Sequence, residues 1–188
     1  MTALHFRRAQ ADDAPRIADL HTRSWRSAYR GLLPDAYLDG SLLQERLIHW
    51  SAKLPQAQTD DFVLLAEDGD RLAGFIAVWC NPASKATDPY GNYPGAYVDN
   101  IHVDPDGRGQ GLGRQLLLKT AEHAQSLPNI DPSLWLWVLT NNTRALGFYQ
   151  ALGGTIAETI TEPLGGTTVE THRMIWTDLA ALGAACRR

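Results

Sequence analysis

The spacing of apolar residues switches along the chain between the period of a β-strand and that of an amphipathic helix. Alternating or continuous apolar runs predict seven strands, at residues 4–9, 61–67, 71–80, 96–103, 134–139, 154–160 and 167–176. Apolar residues three or four positions apart predict four helices, at residues 11–31, 41–54, 112–124 and 141–154. Two of the helices are therefore expected before the main strands of the sheet.

Length and composition limit the number of domains and the kinds of partner. The 188 residues, 44% hydrophobic and 20% charged, suit one well-buried core and are few for two. We therefore expect one domain over residues 1–188, with residues 177–188 as a polar-ended tail. No apolar run approaches the roughly 20 residues of a membrane-spanning helix, and the first residues lack the apolar core of a secretory signal. A cytoplasmic protein without a membrane partner is expected.

Charge and cysteine content exclude further classes. The net charge of -4 is spread without a basic stripe, which argues against a nucleic-acid partner. Cys80 and Cys186 lie far apart, with no CxxC or HExxH motif beside them. Neither a disulfide framework nor a metal site is therefore expected.

A glycine-rich stretch, YVDNIHVDPDGRGQGLGRQLL, joins the fourth predicted strand to the third predicted helix. The first N–H groups of a helix are unpaired and the helix dipole adds partial positive charge there, so this arrangement favours an anion. Arg108 and Arg114 add charge, while Gly109, Gly111 and Gly113 allow the backbone close to a phosphate. The stretch lacks the lysine of GxxxxGK[ST] and the spacing of a dinucleotide GxGxxG. A glycine-rich turn that only caps the helix is the alternative.

The pattern R-x-x-G-x-G at Arg108, Gly111 and Gly113 follows an apolar strand that ends in V-D-P. It closely resembles the pyrophosphate-binding motif of the GNAT superfamily of acyl-CoA-dependent N-acyltransferases. A second stretch, VLTNNTRALGFYQALGG, resembles the family's next motif, N-x-x-A-x-x-F-Y-x-x-L-G, through Asn142, Ala145, Phe148, Tyr149, Leu152 and Gly153. The resemblance covers the chain from Leu4 to about Trp176, and two motifs in the right order make it specific.

The resemblance implies a single GNAT-like α/β (α+β) domain, in which about four helices flank a mixed central sheet of about seven strands. Two parallel central strands splay apart and hold coenzyme A between them. By resemblance, the backbone of one strand pairs with the pantetheine arm, at Ile101, His102 and Val103. The following loop binds the pyrophosphate, through Arg108, Gly109, Gln110, Gly111, Leu112 and Gly113. Asn142 corresponds to the family's pantetheine-contacting asparagine, and a role as helix N-cap can coexist with that contact.

The implied activity is acetyl transfer from acetyl-CoA to a primary amine of a small molecule or peptide. It needs a neutral nucleophile, a donor for the developing oxyanion and an acid for the departing thiolate. Tyr149 corresponds to the family's thiolate-protonating tyrosine, and a phenol of pKa about 10 can supply that proton. The alternative for Tyr149 is simple packing on the buried helix face. The oxyanion donor is expected to be a backbone N–H of the strand from Ile101 to Val103.

The general base has to be found elsewhere, because Trp137 occupies the position of a glutamate that some ribosomal-protein N-terminal acetyltransferases of this superfamily carry. Strict alternation along the strand predicts that Asp99 shares a face with Ile101 and Val103, and that His102 points away. We therefore predict Asp99 as the base, acting directly or through water. A purely structural carboxylate is the alternative.

Acceptor specificity is expected from the first two helices and from the long loop before the glycine-rich stretch. The aromatic candidates there, each of which is also an ordinary packing residue, are Trp25, Tyr29, Tyr37, Tyr90 and Tyr93. The missing glutamate keeps a second function open, that of a catalytically silent acyl-CoA-binding or sensor module. Tyr149 and Asn142 favour the enzyme. The oligomeric state is left open, with a homodimer as one option.

Overall fold

All seven predicted strands form one sheet in the structure, a computed structural model that describes residues 4–80, 93–128 and 130–188. In chain order they are β1 His5–Arg8, β2 Phe62–Asp68, β3 Arg71–Trp79, β4 Ala96–Val103, β5 Leu134–Leu139, β6 Thr155–Leu164 and β7 Thr167–Trp176. Their order across the sheet is β1-β2-β3-β4-β5-β7-β6, and every neighbouring pair is antiparallel except β4 and β5. The mixed seven-stranded sheet is therefore confirmed.

The two parallel strands at the centre of the sheet separate soon after they begin. Ala96 of β4 pairs with Leu134 of β5, and Tyr97 pairs with Trp135, after which these two fully described strands share no further pair. Beyond that point β4 continues along β3, and β5 continues along β7. The splayed pair that the family resemblance implies is present, and its facing edges carry backbone N–H and C=O groups without a partner strand.

The described part of the chain contains two α-helices more than the four predicted. The full set is α1 Ala14–Tyr29, α2 Asp35–Asp39, α3 Leu42–Lys53, α4 Leu112–Ser126, α5 Thr143–Ala151 and α6 Leu179–Cys186. The five-residue α2 is too short to show an apolar repeat. Helix α6 corrects the interpretation of residues 177–188 as a tail: Asp178 caps it by accepting the Ala181 N–H at 2.9 Å, and Leu179 and Leu182 are buried. None of the described helices combines the length and the apolar character that crossing a membrane requires.

Helices cover both faces of the sheet. On one side, which we call the α1 face, α1 and α3 pack on the strands through residues such as Ile17 and Trp50. On the other side, the α4 face, α4, α5 and α6 pack through residues such as Leu116. A third apolar cluster joins Leu38 of α2 to Leu139 at the end of β5. The open ends of β4 and β5 are thus enclosed by helices on both sides.

A β-bulge interrupts the regular alternation of β4. Val98 pairs with Val78 and Asn100 pairs with Ala77, although Val78 and Ala77 are adjacent. Asp99 is therefore an extra residue opposite β3. Because the side-chain period of a strand is two, one inserted residue exchanges the faces of the positions beyond it.

The bulge corrects the alternation predicted from the sequence. Ile101 packs on the α4 face, as expected. Asp99 instead lies on the α1 face, where its carboxylate accepts a hydrogen bond from Trp79. His102 lies on that face too, with its ring 5.2 Å from the ring of Phe75. Asp99 and His102 therefore share one face, whereas strict alternation placed them on opposite faces.

Candidate active site

A cavity of about 480 Å³ opens where β4 and β5 separate. Its wall is formed by residues of α1, β4, α4, β5 and α5 together with the loop before α4. The predicted site residues on this wall are Ile101, His102, Val103, Arg108, Gly109, Gly111, Leu112, Gly113, Asn142 and Tyr149. Gln110 and Asp99 are not part of it. The structure thus brings both sequence motifs to one cavity.

The segment 107–113, which we call the glycine loop, has an open backbone at the start of α4. Gly109 and Gly111 have φ angles of 84° and 80°, a left-handed conformation that L side chains rarely adopt. A Cβ atom at either position would meet no heavy atom within 4 Å, so the space beside them is open. Gly111 is the N-cap of α4, whose first N–H groups lack partners within the helix. This geometry suits a phosphate.

The last residue of the loop, Gly113, and the residue that follows it, Arg114, serve the packing of α4 instead. A Cβ atom at Gly113 would lie 3.2 Å from Cζ of Phe148, so this glycine allows α4 and α5 to approach closely. Arg114 donates from Nη1 to the carbonyl oxygen of Ala185 in α6 at 3.0 Å. Close approach to a phosphate therefore explains Gly109 and Gly111 better than Gly113.

Two arginines on the cavity wall, Arg108 and Arg144, have no carboxylate partner within the described chain and are not held by α6, as Arg114 is. Arg108 donates to Ser27 Oγ at 2.8 Å and to the carbonyl oxygen of Ser24 at 3.3 Å. Arg144, at the start of α5, makes no hydrogen bond or ion pair with any described residue. Burial and the positive charge of Arg144 lower the pKa of Arg108. Two cations that disfavour each other in one cavity make a favourable place for an anion.

The predicted acid, Tyr149, is on the wall and is 8% exposed. Its ring packs edge-on against Trp176, with centroids 5.8 Å apart. Burial raises the pKa of Tyr149 above its usual value and raises the pKa of Tyr29, a second phenol on the wall, to about 12. Both phenols are therefore protonated at neutral pH, which is the form that an acid requires before reaction.

Asn142 sits at the start of α5 on the same wall. Its Oδ1 accepts the N–H of Ala145 at 3.3 Å, so the N-cap role considered from the sequence is present. The contact with pantetheine stays a prediction.

The predicted base, Asp99, is held by two donors away from the wall. Its Oδ2 accepts from Lys53 Nζ at 2.5 Å and from Trp79 Nε1 at 2.8 Å. Burial favours the neutral acid, but the charge and hydrogen bond of Lys53 and the hydrogen bond of Trp79 outweigh it and lower the pKa of Asp99. A carboxylate stabilised in this way is a weak base, so these contacts favour the structural alternative, and the catalytic role stays a prediction.

His102 is on the wall, and its ring is fully engaged. Its Nδ1 lies 3.0 Å from Ser24 Oγ and its Nε2 lies 3.3 Å from Asn100 Oδ1. The ring stacks on that of His21, with centroids 4.4 Å apart. Burial, with the nearby charges of Arg108 and other residues, lowers the pKa of His102 to about 3. The imidazole is therefore neutral at physiological pH.

Sequence reasoning missed three polar residues of the wall: Ser24, Ser27 and Arg144. A signal existed for Ser24, because this polar residue interrupts the apolar stripe of α1 at helical spacing. Arg144 lies inside the second motif, at a position that the motif leaves unspecified.

The aromatic candidates for acceptor binding fall into separate groups. The ring of Trp25 lies 5.0 Å from that of Tyr29 and 6.3 Å from that of Tyr37, and Tyr29 is on the cavity wall. Tyr93 instead packs 5.2 Å from Trp135. Tyr90 lies outside the described residues. The first group is therefore the one that adjoins the cavity.

Comparison with known proteins identifies relatives of the chain. The sequence model of the Acetyltransferase (GNAT) family matches residues 15–154. The uncharacterized N-acetyltransferase YuaI of Bacillus subtilis is 28% identical over 182 residues, which are 97% of this chain and 98% of that protein. An uncharacterized N-acetyltransferase of Methanocaldococcus jannaschii is 29% identical over 79% of this chain, a match that spans only 59% of that longer protein.

The fold is also similar to a solved structure that contains the expected cofactor. The PaiA N-acetyltransferase from Thermoplasma acidophilum, in complex with coenzyme A, has a TM-score of 0.68 and 17% sequence identity to this chain. The superposition covers 91% of this chain and 98% of that one. At this identity the likeness concerns the fold.

Proposed function

Because the chain belongs to the acetyltransferase (GNAT) family, we propose that it transfers an acetyl group from acetyl-CoA to a primary amine of a small molecule or peptide. One observation carries the proposal. A single cavity at the splayed strands is lined by the glycine loop, by Arg108 and Arg144, which have no carboxylate partner among the described residues, and by the buried phenol of Tyr149. A substrate that joins a thioester to phosphate groups needs cations and open backbone for the phosphates and an acid for the sulfur.

The residues present fit coenzyme A. The open backbone at Gly109 and Gly111, with the side chains of Arg108 and Arg144, would hold its phosphates. The facing edges of β4 and β5 offer N–H and C=O groups to the amides of the pantetheine arm. When bound, acetyl-CoA supplies an acetyl group activated as a thioester.

Tyr149 is proposed to hold the proton that the leaving sulfur requires. The phenol is protonated at neutral pH, because burial raises its pKa, and it lies on the wall of the same cavity as the glycine loop. A positioned acid of this kind contributes about 10²- to 10⁴-fold to a rate.

The amine must lose its own proton before it attacks, and Asp99 remains our hypothesis for a base that acts through water. Its ion pair with Lys53 supports the competing structural role. If Asp99 is structural, the ammonium group loses its proton to solvent, and turnover then follows the neutral fraction of the amine as pH rises.

The test is release of free thiol from acetyl-CoA in the presence of a mixed panel of amines. Sustained release that requires an amine supports the enzyme. The alternative, a silent acyl-CoA-binding module, is favoured by one observation: none of the described residues on the cavity wall is an aspartate or a glutamate. It predicts tight binding of acetyl-CoA with no release of thiol.

A further inference from the structure

Two buried N–H groups on the α1 face have no acceptor among the described residues: Nε2 of His21 and Nε of Arg46. His21 is 1% exposed. Its Nδ1 lies 3.1 Å from Nε1 of Trp50, and an indole is only a donor, so His21 Nδ1 is the acceptor and the proton of the neutral ring is on Nε2. A buried donor without an acceptor is unfavourable, so both groups require an explanation.

The guanidinium of Arg46 is a cation that donates no hydrogen bond to any residue that the structure describes. Its side chain is only 19% exposed and lies over the ring of Trp25, 5.0 Å from the centroid. Within residues 4–80, 93–128 and 130–188 the closest carboxylate oxygen, Oε2 of Glu45, is 3.9 Å away, beyond hydrogen-bond distance. By contrast, Arg30 of the same helical layer is paired with Asp35 and Asp39.

Both groups adjoin the wall of the cavity. The ring of Trp25 lies 5.0 Å from Arg46 and 5.0 Å from the ring of Tyr29, which is a wall residue. His21 stacks on His102, another wall residue, at 4.4 Å. Burial, together with the charge of Arg46 and other nearby groups, lowers the pKa of both imidazoles. His21 is therefore in direct contact with a wall residue, and Arg46 is connected to the wall through Trp25.

We propose that Arg46 and His21 bind a carboxylate of the acceptor, so that the preferred substrate is a small amine that also carries a carboxylate, such as an amino acid. The inference rests on the proposed function and adds the class of acceptor. The two parallel N–H groups of a guanidinium match the two oxygens of a carboxylate, and the Nε2–H of His21 adds a third donor. A polyamine would instead place a second cation beside Arg46, where like charges repel.

The first test compares acceptors on the unmodified protein. We use a homologous series of ω-amino acids, from glycine to 6-aminohexanoate, each paired with the alkylamine of the same chain length. We expect kcat/KM for the best amino acid to exceed that of its alkylamine by about tenfold or more, because a charge-assisted hydrogen-bonded pair is made with only one of the two. Equal values in every pair, or a preference for the alkylamines, would overturn the proposal.

The second test measures the same ratio in variants. Arg46→Gln should bring the ratio close to one, and Arg46→Lys, which keeps the charge but not the planar fork, should give an intermediate ratio. Arg30→Gln, which removes an equal charge from an already paired guanidinium, should keep the ratio of the parent protein. Because the readout is a ratio, a general loss of activity cancels. A parental ratio in Arg46→Gln would contradict the assignment.

A third measurement separates this inference from the proposed function. If neither the series nor the mixed panel of amines is acetylated, the proposed function fails. Calorimetry then measures binding of the same amino acids to the protein. If the parent protein binds these amino acids and Arg46→Gln does not, the carboxylate site is supported. If the parent protein does not bind them, the carboxylate site is overturned.

Discussion

Two neighbouring regions along β4 differ in whether other residues of the fold bind their polar groups. Beyond the end of the strand, the glycine loop leaves its backbone open, and Arg108 and Arg144 have no carboxylate partner in the described chain. Within the strand, the carboxylate of Asp99 is occupied by Lys53 and Trp79 at 2.5 and 2.8 Å. A titratable group whose hydrogen bonds are all made within the fold contributes to stability. Unpaired cations beside an open backbone instead suit a ligand.

The comparison explains why Asp99 and the glycine loop are not equally good functional candidates. Both come from one apolar strand and the loop that follows it, and both have residue types suited to catalysis or binding. Only the glycine loop combines unused hydrogen-bonding groups with a cavity.

The largest expected effect is on Tyr149. Replacement Tyr149→Phe removes a proton from the cavity wall and keeps the packing, so we expect acetyl-CoA to bind normally while turnover falls by about 10²- to 10⁴-fold. Steady-state kinetics with a calorimetric titration measures both. Tyr29→Phe, which changes the other phenol of the wall, is the matched control and should lose far less; equal losses would remove the special role of Tyr149.

The next effect concerns the glycine loop. In Gly111→Val a β-branched side chain meets a backbone φ of 80° and enters the open space beside the loop, so we expect the Kd for acetyl-CoA to rise by about a hundredfold. Gly147→Val is the control, because Gly147 is exposed on α5 and does not have a positive φ. A folded Gly111→Val protein with the parental Kd would show that the loop does not bind the phosphates.

A smaller effect, on stability, is expected for His102, which lies within β4 and whose ring nitrogens are bound by other residues of the fold. Its pKa in the folded protein is about 3, below the value of about 6.5 in an unfolded chain. At a pH between these two pKa values, the imidazole is protonated in the unfolded state and neutral in the folded state. The free energy of unfolding therefore falls as pH falls, by about 1.4 kcal/mol per pH unit for such a group. Urea unfolding between pH 7 and pH 5 should therefore show a shallower slope for His102→Gln. An unchanged slope would mean that His102 is accessible to protons in the folded state.

The smallest effect on turnover is expected for Asp99→Asn if this carboxylate is structural. The contacts with Lys53 and Trp79 predict a lower Tm with a pH profile of turnover that overlays that of the parent. Lys53→Gln, which removes the partner, should lower the Tm in the same direction. The catalytic hypothesis predicts instead a fall of about tenfold or more at neutral pH that recovers partly at higher pH. Measuring both quantities on one preparation decides between the two.

The sequence predicted the sheet well because each strand carries its own signal. Apolar runs such as the one from Leu134 to Leu139 are long enough to identify a strand without knowledge of its neighbours. The two motifs at Gly111 and Asn142 also predicted where the cavity lies, because their glycines and caps reflect local backbone geometry.

The features that the sequence did not predict depend on contacts between distant segments. The bulge at Asp99 exists only through the pairing of β4 with β3, at Val78 and Ala77, so alternation within β4 alone could not reveal it. His21 and Arg46 belong to two different helices, α1 and α3. Their N–H groups become buried without an acceptor among the described residues only when these helices pack on the α1 face.

The most direct test of the central claim is a calorimetric comparison of acetyl-CoA with S-acetylpantetheine, which carries the same thioester but neither the phosphates nor the adenosine, at several salt concentrations. If the open glycine loop with Arg108 and Arg144 is the phosphate site, acetyl-CoA should bind at least about a hundredfold more tightly, since several charge-assisted hydrogen bonds are lost with the phosphates. The difference should shrink as salt concentration rises. Equal affinities for the two compounds would contradict the account.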